Sequence, residues 1–335
     1  MIKVVVDTLG GDHSPDVNIQ GAILALNKIE DLSIILVGDK QVIEEKLLPY
    51  TYDKQRLFIC HAPEEISSNE VPTIAIKQKT NSSLYQSFEL IKSSDDINAM
   101  VSIGSTGAII AGAVLKIGRI PGVKRPGLCP ILPTMSSSIV AVCDSGANAD
   151  CDALQLHQFA IMSSLYLQKA YYVQEPKVAL LNVGTEEEKG DLLRKEVHKL
   201  LKEDNRINFV GNMESRDLLS GRYDVVVCDG FSGNVLIKST EGACLEVLKL
   251  VKKTFTKNLK TKIGALILKK DMQEVKNFMD YNNYGGAVLL GTKKTIVKSH
   301  GSSKATSIFH SIEQAYNMEK RGLREAIEKN LSETR

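Results

Sequence analysis

Five small turns carry the residue types in this chain that could do chemistry. Each follows a short apolar run typical of a buried strand, and each is rich in Gly, Ser, Asn or acidic residues. They cover residues 10–13, 104–107, 144–148, 184–190 and 229–234. In a parallel sheet such turns collect at one edge, where ligands bind. Glycine there lets backbone N–H groups approach an anion, so we expect the turns to converge on one anion-binding pocket.

Two side chains in these turns, Lys189 and Asn234, are candidates for direct roles. Lys189 follows three glutamates where a helix is expected to start, and the positive end of a helix dipole disfavours a lysine. It is either a surface lysine paired with those glutamates or a cation directed into the pocket, kept protonated by the carboxylates. Asn234 is either the N-cap of the next helix or an amide donor to a developing oxyanion.

His13 and His300 lie in turns rather than on apolar faces, so both are candidates for the pocket. Cys143 and Cys228 each precede an aspartate. Because a neighbouring carboxylate raises the pKa of a thiol, these cysteines are expected to be buried small hydrophobes rather than nucleophiles. No turn has the G-x-x-x-x-G-K-[ST] pattern, and no G-x-G-x-x-G precedes a suitably placed acid.

Strands alternate with helices along the chain, which predicts an α/β fold with three layers and a mostly parallel, Rossmann-like sheet. The short connection 133–137 permits only an antiparallel pair, so the sheet should be mixed. A helix over 73–92 is expected to break around residues 80–83. The apolar run 225–228 reads as a strand buried on both faces, and the helix over 154–168 should be buried, with a subunit contact as one reason.

Composition bounds the class of protein. The chain has 335 residues, 43% hydrophobic, with net charge +2 and no Trp, which does not fit a nucleic-acid-binding surface. Six cysteines lack C-x-x-C spacing, and no ligand cluster demands a metal. We expect no signal peptide, because MIKVVVD enters a strand at once, and no apolar run is long enough to span a membrane. We therefore expect one cytoplasmic domain over residues 1–335, with no cofactor or metal.

A lysine-rich insertion is expected within residues 244–280, as a helical hairpin. Nine lysines oppose three acidic residues between positions 246 and 276. Its apolar stretch contains Ile263, Leu266, Ile267 and Leu268, with lysines at 262 and 269. The insertion is either an amphipathic hairpin packed on itself or a docking element for an anionic membrane.

Seven motifs together resemble the acyl-ACP:phosphate acyltransferase (PlsX-type) family of bacterial phospholipid synthesis. In chain order they are LGGDHSP, SIGSTGAIIAG, RPGLCPILPT, DSGANADC, LLNVGTEEEKG, GNMESRDLLSGRYDVVVCDGFSGNVLIKSTEG and YGGAVLLG…SHGSS. The resemblance runs from residue 4 to about residue 315. The chain departs from the family pattern at Ser105, where Asn is more common, and at Leu9 and Ala153, where Met and Pro are usual.

The resemblance implies a fold related to phosphate acetyltransferases and isocitrate-dehydrogenase-like enzymes. It implies a homodimer, peripheral membrane association, and the reaction of acyl-ACP with inorganic phosphate to give acyl phosphate and free acyl carrier protein. The product would then be used by a membrane glycerol-3-phosphate acyltransferase.

This chemistry fits the residues, because phosphate is already an anionic nucleophile and a thiol with a pKa of about 8.5 is a good leaving group. We expect Lys189 and Asn234 to be catalytic, and acidic carrier protein to meet basic surface residues. The expected substrate and phosphate contacts are Gly10, Gly11, Asp12, His13, Ser105, Thr106, Gly107, Asp144, Asn148, Gly184, Asp229, Ser232, Gly233, His300 and Ser302. The expected carrier contacts are Arg119, Lys124 and Arg125.

Three alternatives stay open. The acyl donor could be acyl-CoA, which nothing in the sequence distinguishes from acyl-ACP. The protein could be a non-catalytic scaffold docked on the membrane, although the turns carrying Lys189 and Asn234 argue against this. An NAD-dependent dehydrogenase lacks its dinucleotide fingerprint.

Overall fold

The computed structural model describes residues 1–279 and 284–332. It contains two mixed β-sheets with helices packed against them, which confirms the predicted α/β class. Strands of the first sheet are β1 (Ile2–Asp7), β2 (Leu32–Gly38), β3 (Leu57–His61), β4 (Ala99–Ser102), β5 (Gly127–Cys129), β11 (Ala287–Leu290) and β12 (Thr295–Lys298). Their order is β3-β2-β1-β4-β12-β11-β5, and the first five are mutually parallel.

The second sheet has the order β6-β7-β10-β8-β9. Its strands are β6 (Ile131–Pro133), β7 (Ile139–Cys143), β8 (Lys177–Asn182), β9 (Asn208–Glu214) and β10 (Val225–Val227). As predicted, β6 and β7 are antiparallel, and the others are parallel. The sequence had suggested one sheet. Instead the run 128–132 divides at Pro130, so that β5 pairs with β11 and β6 pairs with β7.

Helices cover both faces of the first sheet and give it three layers. They are α1 (Asp16–Lys28), α2 (Lys40–Leu47), α3 (Pro72–Gln78), α4 (Ser83–Ser93), α5 (Thr106–Gly112), α11 (Ala305–Lys320) and α12 (Leu323–Ser332). A π-helical turn, Ala113–Ile117, continues α5. The predicted helix break near residues 80–83 is confirmed by the gap between α3 and α4, where Ser82 caps α4 by accepting from the Tyr85 N–H.

Alternation along the strands explains why they are buried on both faces. In β1, Val4 and Val6 join one hydrophobic cluster and Val5 joins another. In β10, Val225 and Val227 face one cluster while Val226 faces a third. Because successive strand residues point to opposite faces, a continuous apolar run fits a central strand covered on both sides.

Three further helices accompany the second sheet: α6 (Ala153–Tyr171), α7 (Leu192–Glu203) and α8 (Gly230–Phe255). Helix α6 is buried on most sides, as expected. It packs against β7, β10, α7, α11 and α12 of the same chain, so contacts within one subunit account for its burial.

Helix α8 continues without a break from the turn at residue 229 into the lysine-rich segment. Two short helices, α9 (Leu259–Ile267) and α10 (Lys269–Met279), follow it. No residue of α9 is buried, and α9 packs mainly on α8 and α10. We call residues 244–279 the arm; residue 280, the last of the predicted insertion, lies outside the described residues. Across the described ranges, no helix is both long and apolar enough to cross a membrane.

Candidate active site

Loops after β1, β4 and β12 contact one another at the carboxyl edge of the first sheet. The Asp12 N–H donates to the carbonyl oxygen of Gly301 over 2.9 Å. A Cβ on Gly10 would lie 2.7 Å from the Cα of Gly104, and Gly10 has a φ of +94°. Only glycine fits there, since both its backbone angle and the space exclude a side chain. Two of the predicted turns thus meet each other and the turn at His300.

Two more predicted turns meet at the carboxyl edge of the second sheet. The Gly230 N–H donates to the carbonyl oxygen of Asn148 over 2.8 Å. A Cβ on Gly233 would overlap the carbonyl oxygen of Asp144, so the start of α8 lies directly against the loop after β7. A Cβ on Gly146 would lie 3.7 Å from the Cβ of Asn234. These close approaches fix Asn234 beside the loop.

A cavity of about 320 Å³ lies between these two groups of loops and is bordered by both sheets. Three of the predicted site residues line it: Thr106 and His300 from loops of the first sheet, and Asn234 from the second. More fully, its lining is Thr106, Pro130, Ile131, Ser145, Asn234, Ile237, Lys238, Glu241, Gly285, Gly286, Ala287, Lys298 and His300. The convergence of separate loops therefore holds for these residues within a single chain.

Asn234 is not the N-cap of α8. Asp229 is the cap, and its carboxylate accepts from the Ser232 N–H over 2.8 Å. Asn234 lies one turn further along, half-buried at the cavity wall. In the described part of the chain its side-chain amide has no hydrogen-bond partner, which leaves both N–H groups available to a ligand.

Asp144 and Asn148 organise the loop after β7. Asp144 is fully buried and accepts hydrogen bonds from four backbone N–H groups, those of residues 128, 146, 147 and 148. Burial raises the pKa of this carboxyl, and the hydrogen bonds oppose the shift. The amide of Asn148 donates to Asp144 over 2.8 Å and to the Pro126 carbonyl over 2.7 Å. Both side chains are thus engaged in shaping the loop.

Asp229 and Ser232 are tied to α7 by Arg194, a residue that the sequence did not single out. The Arg194 guanidinium donates to Asp229, and over 3.3 Å to the Ser232 hydroxyl. Burial alone would raise the pKa of Asp229, but the hydrogen bonds from Ser232 and the nearby Arg194 hold it below its usual value. Arg194 therefore fixes the start of α8, and with it Asn234, relative to α7.

Lys189 is exposed and is outside the cavity lining in the single chain. Its side chain passes along Gly184, where a Cβ would lie 3.0 Å from Lys189 Cγ. Its loop follows β8, the neighbour of β10, so Lys189 lies on the same sheet edge as Asn234. His13 is also exposed and outside the lining.

The other predicted contacts belong to the converging loops without lining the cavity. His300 Nδ1 and the Ser302 hydroxyl are 2.8 Å apart, so Ser302 contacts a lining residue. The residues in this group are Gly10, Gly11, Asp12, Ser105, Gly107, Gly233 and Ser302, whereas Gly184 lies beside Lys189 in the loop after β8, outside the cavity lining.

Lys238, Glu241 and Lys298 line the cavity but were not identified from the sequence. Burial lowers the pKa of Lys298 to about 8 and raises that of Glu241. The pKa of His300 is lowered by burial and by the charge of Lys298. A signal for Lys298 was present, because it directly ends an apolar strand at the edge where the other turns collect.

Cys143 and Cys228 are fully buried, and burial raises both thiol pKa values well above their ordinary range. This confirms that they are small buried residues. The lining of the cavity, within the described ranges, contains no cysteine.

Arg119, Lys124 and Arg125 are exposed on one loop. Arg119 donates to the Lys124 carbonyl, and the Lys124 ammonium lies 3.2 Å from an Asp152 carboxylate oxygen. Lys124 and Asp152 also border a groove of about 490 Å³ near the start of α7. The basic loop is thus accessible, with Lys124 partly neutralised.

Comparison with known proteins identifies the family. A family model described as "Fatty acid synthesis protein" matches residues 2–326. The chain belongs to this family. A phosphate acyltransferase of Caldanaerobacter subterraneus subsp. tengcongensis is 44% identical over 317 residues, covering 95% of this chain and 93% of that protein. A phosphate acyltransferase of Clostridioides difficile is 40% identical over 332 residues, covering 99% and 96%.

Solved structures with the same fold include two acyl-transferring enzymes. A phosphotransacetylase from Streptococcus pyogenes has a TM-score of 0.60 at 17% identity, covering 98% of this chain and 94% of that one. A branched-chain phosphotransacylase from Enterococcus faecalis has a TM-score of 0.60 at 16% identity, covering 96% and 100%. At this identity the likeness establishes the fold, which agrees with the phosphate acetyltransferase-like fold expected from the sequence.

Proposed function

We propose that this protein transfers a fatty acyl group from acyl carrier protein to inorganic phosphate, giving acyl phosphate for phospholipid synthesis. The observation that carries the proposal is the cavity between the sheets, where the unpartnered amide of Asn234 faces the same space as two lysines. Such a cavity can hold an anion next to the carbonyl group with which it reacts. Membership of a family whose relatives are phosphate acyltransferases supports the reaction.

In the proposed reaction, a phosphate oxygen attacks the thioester carbonyl carbon directly. The C–O bond to phosphate forms, and the carbonyl oxygen becomes an oxyanion that accepts a hydrogen bond from the Asn234 amide. The C–S bond then breaks, and the thiolate of the carrier leaves and takes a proton from solvent. A thiol pKa of about 8.5 makes this departure easy without a strong acid. The absence of cysteine from the described lining is consistent with transfer without an acyl-enzyme.

The donor is tested by comparing acyl-ACP with acyl-CoA of the same chain length. The proposal expects phosphate-dependent thiol release from acyl-ACP at the higher kcat/KM. Faster reaction with acyl-CoA would contradict the carrier as donor while leaving acyl transfer intact. Absence of thiol release from both donors would instead favour the non-catalytic scaffold.

The basic loop is proposed to meet the acidic carrier protein. Arg125→Glu is predicted to raise the KM for acyl-ACP several-fold without changing that for acyl-CoA, because charge reversal at a rim weakens association with one partner only. Lys54→Glu is the matched control, because Lys54 is an exposed lysine in the loop before β3. It should change the KM for neither donor. Equal effects of Arg125→Glu on both donors would exclude this docking site.

The arm is proposed to contact an anionic membrane. The side chains of Leu266 and Ile267 are 72% and 75% exposed at the end of α9, between lysine-bearing segments. Serine at both positions is predicted to weaken binding to anionic lipid vesicles at least tenfold in a flotation assay, since each large apolar side chain contributes about 1.5–3 kcal/mol when buried. Leu48→Ser is the control, because Leu48 is 82% exposed and lies outside the arm, after α2. Unchanged flotation of the double variant would refute membrane contact by this end.

Ile263 and Leu268 are exposed as well and belong to the same proposed surface.

We also propose that the protein is a peripherally associated cytoplasmic homodimer that supplies a membrane glycerol-3-phosphate acyltransferase. Sedimentation equilibrium giving the mass of a single chain would contradict the dimer.

A further inference from the structure

Lys298 ends β12 and places the ammonium group of a half-buried side chain at the cavity wall. Its Nζ donates to the carbonyl oxygen of Ser299 over 2.6 Å. Among residues 1–279 and 284–332, no carboxylate lies within ion-pair distance of it. Partial removal of its charge from water is costly, and an anionic ligand in the cavity would offset that cost.

The groups around Lys298 make the cavity electropositive. Lys238 reaches it from α8, and His300 follows two residues after Lys298. The charges of Lys298 and Lys238 both lower the pKa of His300, and Asp12 acts in the opposite direction. Glu241 is the carboxylate in the described lining, and burial raises its pKa. The two lysines therefore favour an anionic ligand.

We propose that Lys298 binds the phosphate nucleophile, with its ammonium as the principal charge partner. Thr106 supplies a neutral hydrogen-bond donor on another wall of the same cavity. One of the three N–H groups of this ammonium donates to Ser299, and the other two can donate to phosphate oxygens. This inference deepens the proposed function and rests on it for the identity of the anion.

The backbone around Lys298 is held in place by a buried amide. Gln314 accepts from the Gly286 N–H over 2.9 Å and donates to the Gly286 carbonyl over 3.1 Å. A Cβ on Gly286 would lie 2.7 Å from the Lys298 carbonyl oxygen. The strand end carrying Lys298 thus packs against a glycine segment that Gln314 fixes, as a preformed binding site requires.

The test measures binding of radiolabelled inorganic phosphate to the full chain by equilibrium dialysis, together with steady-state kinetics. Lys298→Gln is expected to weaken phosphate binding at least tenfold and to raise the KM for phosphate similarly, because one charge-assisted contact is lost. The KM for the acyl donor should not change. Lys293→Gln is the matched control, because Lys293 is an exposed lysine just before the start of β12. This variant should bind phosphate normally.

Phosphate binding by Lys298→Gln equal to that of the wild type would overturn the inference. If Lys298→Gln loses phosphate binding and the wild-type protein releases no carrier thiol, the phosphate site is supported and the proposed reaction is refuted. Normal phosphate KM in an active Lys298→Gln enzyme would refute the site alone.

A measurement on the unaltered protein covers the case in which Lys298→Gln does not fold. Lysines are modified with a small amine-reactive reagent and quantified by peptide mass spectrometry. Phosphate should slow modification of Lys298 and leave that of Lys293 unchanged. Equal rates at Lys298 with and without phosphate would overturn the inference.

Discussion

Replacing Asn234 with alanine is expected to lower kcat by about 100- to 1000-fold, the usual effect of losing one oxyanion donor. The Asn234 amide lies at the cavity wall and is engaged by no described residue, so its N–H groups can serve the transition state. The oxyanion exists only after phosphate attack. The loss should therefore fall on kcat, and the KM for phosphate should change little.

Steady-state assays of carrier thiol release measure this effect, with Val235→Ala as control, since Val235 is the exposed neighbour on the same helix. Lys189→Ala in the same assay is also expected to lower turnover by about 100-fold or more, because we propose that its charge stabilises the phosphate or the oxyanion. A kcat of Asn234→Ala within a few-fold of the wild type would remove Asn234 from the mechanism. A near-normal rate in Lys189→Ala would likewise remove Lys189 from the mechanism.

Gly233→Ala is expected to lower the free energy of unfolding by about 2–3 kcal/mol, the upper part of the range for overpacking. The new Cβ would overlap the Asp144 carbonyl oxygen and lie 2.8 Å from Cys228 Sγ. Neither atom can move freely, because Asp144 and Cys228 are fully buried. Helix α8 must shift away from the loop, which also displaces Asn234, so activity should fall with stability.

Gly242→Ala is the matched control on the same helix. No atom lies within 4 Å of its added Cβ, so alanine should stabilise the protein by about 0.5–1 kcal/mol through helix propensity. Urea denaturation followed by circular dichroism gives both values. Equal stability of the two variants would contradict the close packing of α8 against the loop after β7.

Much of the fold follows from local sequence pattern. Apolar runs such as 225–228 predict central strands, because a strand covered on both faces needs apolar residues at successive positions. The division into two sheets was not predicted. It depends on which partners β5 and β6 find on either side of Pro130, and pairing between distant strands leaves little trace in a local pattern.

The site was predicted only in part, because contacts between distant residues leave little trace in a local sequence pattern. Turn composition pointed to the loops of Thr106, Asn234 and His300, and these three residues do line one cavity. Composition does not tell which long side chain turns inward. Lys189 runs along Gly184 toward solvent, whereas Lys298, at the end of an apolar strand, is enclosed by the glycine segment at 285–286.

The central claim is that phosphate takes the acyl group from the carrier thioester in the cavity between the sheets. The most direct measurement incubates the protein with acyl-ACP and inorganic phosphate, follows free thiol, and traps acyl phosphate with hydroxylamine. The account predicts thiol release that requires phosphate, acyl hydroxamate in equal amount, and loss of both in Asn234→Ala. Thiol release independent of phosphate, or hydroxamate formation undiminished in Asn234→Ala, would contradict it.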